Sequence, residues 1–224
     1  FSMMDHLNGD NIPVSKLLKY SDGNFDSGTS SLEKRGISNI VPSYDKNKCI
    51  MCNMCSFVCP HAVIRPYLLS LEEANAAPDY IKETLKDTTI NNENYKFTVC
   101  MSPLDCTGCS LCTSVCPTKA ITMEKIKTEE QKRFDYLEKY VTEKHVLNKE
   151  TIKGSQFIKP KFSFSGACAG CGETTYLKLL SQLFGDNLII ANATGCSSIY
   201  GASLPSTPYT VPWANSLFED NAEF

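Results

Sequence analysis

Apolar positions along this chain fall into short periodic stretches separated by polar, turn-forming ones. The clearest helical stripe runs from Thr128 to about Lys144, where Phe134, Leu137, Tyr140 and Val141 recur at helical spacing with charges elsewhere; it predicts an amphipathic helix with a docking role. A second helix is predicted from Thr174 to Phe184, with Gly185 placed to end it. A buried strand is then expected at Leu188-Ile-Ile-Ala191, leading to Gly195-Cys196. Helix followed by strand, with polar residues in the loops, suggests an α/β sheet with ligands at its edge. Further upstream, Ser70-x-x-Glu73 has the form of a capping box and opens a helical stretch that Pro78 interrupts. That segment, Pro66 to Tyr95, reads as an insertion outside the core. Residues 1–44 carry turn-rich runs such as Ser21-Asp22-Gly23-Asn24 and Ser27-Gly28-Thr29-Ser30, and are expected to form an extended connector. A last helix is predicted to begin near Ala214. The sequence starts at Phe1 and stops at Phe224 inside that element, so the expectation is a partial sequence.

Composition narrows the class without naming a function. With 42% hydrophobic residues, 21% charged and a formal charge of −3, the chain has the make-up of a soluble globular protein of one or two modest domains. No apolar run approaches the roughly 20 residues that a bilayer-spanning helix needs. The mildly acidic balance argues against a nucleic-acid partner, and the tract Lys125 to Lys149 mixes both signs as a solvated helix face does. Twelve cysteines in 224 residues without a signal-like segment point to reduced or metal-bound thiols, because disulfide-rich secreted domains are usually short.

Those cysteines have a rhythm. Cys49-x2-Cys52-x2-Cys55-x3-Cys59-Pro60 recurs as Cys106-x2-Cys109-x2-Cys112-x3-Cys116-Pro117, and the offset of 57 residues also aligns Val58 with Val115 and Ile64 with Ile121, the expected small core. The short gaps let three thiolates on one turning loop face one metal centre, and the proline then turns the chain away. Zinc sites usually use two separated pairs, which does not explain two full runs each followed by proline. The rhythm resembles bacterial-type ferredoxins, in which three cysteines hold one 4Fe–4S cluster and the fourth reaches the other. That resemblance implies ligand sets Cys49, Cys52, Cys55 with Cys116 and Cys106, Cys109, Cys112 with Cys59. His61 then packs or hydrogen-bonds near a cluster, acting on its potential, and Cys100 is a buried inert thiol.

Cys168, Cys171 and Cys196 form a third group flanked by glycines. On spacing alone a cluster, a zinc site, a redox pair or structural thiols all fit. The surrounding words are more specific: Phe164-Ser-Gly-Ala-Cys-Ala-Gly-Cys-Gly-Glu-Thr174, Ala191-Asn-Ala-Thr-Gly-Cys-Ser-Ser-Ile-Tyr-Gly201, Trp213 to Phe224, Lys34-Arg-Gly-Ile37, Ile64-Arg-Pro66 and Ser102-Pro-Leu-Asp-Cys-Thr-Gly-Cys109. Across nearly the whole chain they resemble the pyruvate:ferredoxin (flavodoxin) oxidoreductases. The resemblance implies an α+β fold: a connector over 1–44, a dicluster ferredoxin-like domain over 45–150, and over 160–224 the beginning of an α/β thiamine diphosphate-binding domain. It implies that Cys168, Cys171 and Cys196 hold a third, proximal 4Fe–4S cluster with a ligand outside this sequence. Glu173 and Cys196 match positions lining the thiamine diphosphate site, while the Mg2+ and diphosphate motif of the family is absent here, as is its longer loop between Thr210 and Trp213.

By the same resemblance, the reaction converts pyruvate and coenzyme A to acetyl-CoA and CO2 and reduces ferredoxin or flavodoxin, in a homodimer, with no catalytic residue in this stretch. The expected location is the cytoplasm, or a hydrogenosome-like organelle in a eukaryote. Rival readings are pyruvate:NADP+ oxidoreductase, another 2-oxoacid oxidoreductase and a plain dicluster electron carrier, against which residues 162–224 argue.

Overall fold

The N-terminal segment is rich in residues that bend the chain, and it forms short turns, among them helices α1 (Ser2–Asp5) and α2 (Val14–Leu17). The structure, a computed structural model, describes residues 2–24, 26–193, 195–201 and 206–215. The segment is nonetheless fastened at both ends of its second half. Gly28 N–H donates to the Tyr209 carbonyl at 2.7 Å, Gly36 N–H donates to the Leu104 carbonyl at 2.8 Å, and Lys34 pairs with the buried Asp105 carboxylate at 2.5 Å. Lys34-Arg-Gly thus clamps the loop that leads into the second cysteine run.

The expected connector ends earlier than residue 44, because Ile40–Tyr44 is strand β1 of the next unit. Past the first cysteine loop and helix α3 (Met54–Phe57) comes β2 (Ile64–Leu69). Helices α4 (Leu71–Ala76) and α5 (Asp79–Lys82) and strands β3 (Lys86–Ile90) and β4 (Glu93–Met101) follow; the second loop then carries α6 (Leu111–Ser114) and β5 (Ile121–Lys125). β1 pairs antiparallel with β5, and β2 with β4. The register repeats at the sequence offset: Tyr44 opposes Ile121, and Met101 opposes Ile64. Ile64 and Ile121 are buried as expected, whereas Val58 and Val115 are half-buried.

Ser70 and Glu73 form the reciprocal capping box that opens α4, and Pro78 separates α4 from α5. The segment does not lie outside the core, as its sequence suggested. β3 extends the sheet in the order β2-β4-β3, and Ala74, Ala77 and Ile81 share one apolar cluster with Leu69, Phe97, Cys55 and Cys112. Helix α7 (Thr128–Tyr140) buries Phe134 and Leu137 against the same core. It stops at Tyr140, which is exposed, and Val141 follows in extended conformation, half-buried against the same core, so of the predicted stripe only Tyr140 is left out.

After the single turn α8 (Ile152–Ser155) the third unit begins with Phe162, bridged to Tyr209. Helix α9 (Gly172–Phe184) ends at Gly185, whose φ of +51° only glycine adopts freely. Strand β6 (Ile190–Asn192), helix α10 (Cys196–Gly201) and strand β7 (Trp213–Asn215) follow, with β6 and β7 parallel. The strand starts two residues later than predicted and Ile189 is exposed. Residues 213–215 form a strand where a helix was expected; the rest of that expected helix lies outside the described residues. The Val211-Pro212 turn is short but tied in, with Val211 buried and the Pro212 carbonyl accepting from Ile190 N–H at 3.0 Å.

Candidate metal centre

Both cysteine loops are wound the same way by left-handed residues at matched places. Met51 and Gly108 have φ of +59° and +69°, Asn53 and Ser110 +61° and +63°, Ala62 and Lys119 +54° and +53°. Each pair is separated by the repeat offset, and five of the six residues bear a side chain for which this conformation is costly. Such strain persists where the surroundings dictate the loop's path. Here it aims backbone donors at sulfur: Met51 N–H reaches Cys49 Sγ at 3.3 Å, Gly108 N–H reaches Cys106 Sγ at 3.4 Å and Ala120 N–H reaches Cys116 Sγ at 3.2 Å.

The thiols gather into two quartets, each drawing on both runs. Cys59 lines one small cavity with Cys106, Cys109 and Cys112; the rest of its wall is mainly apolar, including Pro42, Val63, Ile64, Leu111 and Met123. Burial pushes the Cys55 thiol up to about 12, and the charges of Cys49, Cys52 and Cys116 push in the same direction. Burial likewise raises Cys106 to about 11, with Cys59 and Cys109 adding to it, and raises Cys112 beside Cys59, Cys106, Cys55 and Cys109. Neighbouring thiolates in an apolar cavity repel one another, and only a cationic centre among them reverses that preference. Beside the first quartet the Tyr44 hydroxyl sits against Cys49, and burial followed by the charge of Cys49 raises its pKa. All twelve cysteines are free thiols. Among the described residues no three His, Cys, Asp or Glu side chains close on one point as for a single chelated ion. Four thiols around a cavity suit a multi-iron cluster better than a lone metal.

Cys100 stands apart on β4, buried opposite Arg65, its thiol raised by burial. His61 links the second quartet to the third unit. Its ring Nε2 lies 3.2 Å from the Cys168 carbonyl and Nδ1 lies 3.2 Å from Ser165 Oγ. Nδ1 also lies 3.1 Å from the Ser165 carbonyl, so both ring nitrogens face backbone carbonyls; burial lowers the imidazole pKa and these two contacts oppose it. Gly170 packs beside Cys109: a Cβ there would sit 3.6 Å from that of Cys109. The third group is more open. Cys168 and Cys196 are exposed and Cys171 half-buried. Cys171 N–H donates to the Cys168 carbonyl at 3.1 Å, which closes their loop, while Cys196 lies on α10. Glu173 is exposed in the first turn of α9, close enough to Tyr200 on α10 to raise its phenol after burial has done so. The structure therefore brings α10 and the start of α9 together, with the Cys168 and Cys196 thiols open to solvent.

Sequence reasoning passed over Lys178. Its side chain is 1% exposed and donates to the carbonyls of Ser56 and Phe57, at the end of α3. The signal was available: a lysine inside Leu177-Lys-Leu-Leu180, on the helix face that also carries Thr174, Ser181 and Gln182.

Residues 48–120 match the family described as "4Fe-4S dicluster domain", and residues 2–38 match one described as "domain of unknown function". The chain is 49% identical to the pyruvate-flavodoxin oxidoreductase of Enterobacter agglomerans, over 99% of this chain and 20% of that protein. It is 50% identical to the pyruvate:ferredoxin oxidoreductase of Moorella thermoacetica, over 97% of this chain and 19% of that one. With the pyruvate dehydrogenase [NADP(+)] of Cryptosporidium parvum the identity is 47%, over 97% and 12% respectively. The chain thus spans about a fifth of the length of the first two relatives. It is homologous to one section of the pyruvate:ferredoxin and pyruvate:flavodoxin oxidoreductases, a section that contains a 4Fe-4S dicluster domain.

Proposed function

We propose that this chain is the electron-transfer section of a pyruvate:ferredoxin or pyruvate:flavodoxin oxidoreductase, holding two 4Fe–4S clusters and the start of a thiamine diphosphate-binding domain. The carrying observation is the cavity that Cys59 shares with Cys106, Cys109 and Cys112. Cys49, Cys52, Cys55 and Cys116 would hold the other cluster. Bound there, the clusters supply one-electron carriers, two electrons being released for each pyruvate oxidised. The protein's part is to shape and dry the cavities: the strained loops fix the thiolates, the buried Ile64 and Val63 exclude water, and N–H groups of Met51, Gly108 and Ala120 disperse charge on sulfur. His61 joins the Cys59 turn to the Cys168 loop, so the second quartet faces the third unit. Cys168, Cys171 and Cys196 would hold the proximal cluster with a fourth ligand from elsewhere in the longer enzyme. Glu173 and Cys196 would line the thiamine diphosphate site; the parallel β6 and β7 joined through α10 support that reading of the unit.

Anaerobic loading of the chain with iron and sulfide tests this. Two stable four-iron clusters, with at most a labile third, are expected, together with no pyruvate-dependent reduction of a viologen dye by the chain alone. Stoichiometric zinc in place of iron, or pyruvate turnover by the chain, would overturn it. The NADP+-linked alternative is kept alive by the Cryptosporidium relative, and the acceptor used by the longer enzyme decides between them.

A further inference from the structure

Lys178 belongs to a helix of the third unit, yet its ammonium ends inside the dicluster unit. It donates to the Ser56 carbonyl and, at 2.9 Å, to the Phe57 carbonyl. Those carbonyls close α3, the turn between Cys55 and Cys59, one thiol from each quartet. Among the described residues no carboxylate lies within ion-pair distance of Lys178, although a buried ammonium is expensive unless an anion faces it. Two neutral carbonyls offset only part of that cost, and burial holds its pKa down at about 8. The like charge of Arg65 worsens the balance. What does favour the ammonium is negative charge at Cys59 and then Cys55. A buried polar network ties the same turn to α9: Ser56 Oγ donates to Gln156 at 3.0 Å and Gln156 to Gln182 at 3.2 Å.

We infer that Lys178 is a fixed countercharge for the two quartets, a positioning residue that raises the reduction potential of the cluster held by Cys59, Cys106, Cys109 and Cys112 above that of the other. The inference rests on the dicluster reading. Adding one electron to a cysteine-held cluster adds one negative charge and no proton, so a buried cation beside it favours the reduced form. Because Lys178 lies two turns beyond Cys171, the third unit itself sets the potential of the quartet it faces, and electrons are drawn first to that quartet.

The test is a redox titration followed by electron paramagnetic resonance on the cluster-loaded protein, with iron and sulfide counted in each variant. Lys178→Gln keeps a donor for the carbonyls and removes the charge; Lys178→Arg keeps the charge. A unit charge at roughly 10 Å through an effective dielectric of about 20 changes the reduced-to-oxidised ratio by about tenfold. The expected result for Lys178→Gln is therefore a midpoint lowered by about 59 mV in the Cys59 cluster, a smaller shift in the other, and wild-type midpoints in Lys178→Arg. Unchanged midpoints in fully loaded Lys178→Gln would overturn the inference. Lys178→Met gives the same reading if the Gln variant does not load. Failure of both to hold iron while the Arg variant holds it would assign Lys178 to assembly and overturn the tuning role. Wild type with fewer than two clusters would instead overturn the dicluster reading.

Discussion

Glu138 on α7 is the junction where three elements meet, and replacing it by Gln isolates what its charge contributes. Its carboxylate accepts from the Tyr67 hydroxyl of β2 at 2.7 Å and faces Arg65 at 2.7 Å and Lys159 at 3.1 Å. The Arg65 contact lies off the N–H axis and leaves Nη1 without a directed hydrogen bond, so it acts through charge. Arg65 in turn lies 5.0 Å from the Phe164 ring centroid and 5.5 Å from that of Phe134, which couples the pair to the start of the third unit. Burial alone would raise the Glu138 carboxyl, but Arg65, Lys159 and Tyr67 outweigh it and hold the pKa at about 2 against an ordinary 4.5. A lowered pKa contributes stability that is complete above about pH 4.5 and is lost as pH falls toward 2, so at pH 7 all of it is present. At ~1.4 kcal/mol per pH unit the shift corresponds to about 3 kcal/mol. The Gln amide still accepts from Tyr67, which reduces the expected loss to about 2 kcal/mol. For a chain of this size that is about 4–8 °C in Tm. The assay is thermal unfolding of cluster-loaded wild type and Glu138→Gln at pH 7 under anaerobic conditions, with Arg65→Met and the double variant completing the cycle. The double variant is expected to cost less than the sum of the single ones. A Tm within about 1 °C of wild type for Glu138→Gln, or strictly additive losses, would refute the reasoning.

Cys100→Ser is expected to retain full iron and sulfide, because Cys100 belongs to neither quartet; loss of one cluster's iron would show that the register of ligands is misread. Gly108→Ala places a Cβ against Ser38 Oγ and 3.3 Å from the Ile40 carbonyl at a φ of +69°, at a cost of about 1–3 kcal/mol. It should speed release of iron from the second-run cluster to a chelator, whereas Met51→Ala, at the matched place where a side chain already exists, should not. Equal release rates in the two variants would contradict this.

The elements that local chemistry specifies were legible in the sequence. Ser70, Glu73 and Pro78 mark the start and the break of the α4–α5 stretch, Gly185 marks the end of α9, and the cysteine spacing carries the twofold repeat down to its left-handed residues. What escaped depends on partners distant in the chain. β1 reads as connector because its neighbour β5 lies far downstream and because Pro42 weakens the strand signal, a proline tolerated on the edge of a two-stranded sheet. The segment between the runs reads as an insertion, yet Lys86 on β3 donates to the Cys49 carbonyl at 2.7 Å and Phe97 on β4 is 1% exposed. Tyr140 fits the periodic stripe but falls past the edge of what α7 can bury. Lys178 was invisible as a site because a lysine on a helix is ordinarily solvated, and only the packing of α9 on α3 reveals where it ends.

Cross-ligation is the central claim, and one comparison of three variants tests it most directly. Cys59→Ala, Cys52→Ala and Cys109→Ala are loaded anaerobically and their reduced spectra recorded by electron paramagnetic resonance, with iron counted. Cys52 and Cys59 share a run, but the cavity groups Cys59 with Cys109. The account predicts that Cys59→Ala loses the same cluster signal as Cys109→Ala and keeps the one that Cys52→Ala loses. A Cys59→Ala spectrum matching Cys52→Ala would contradict it.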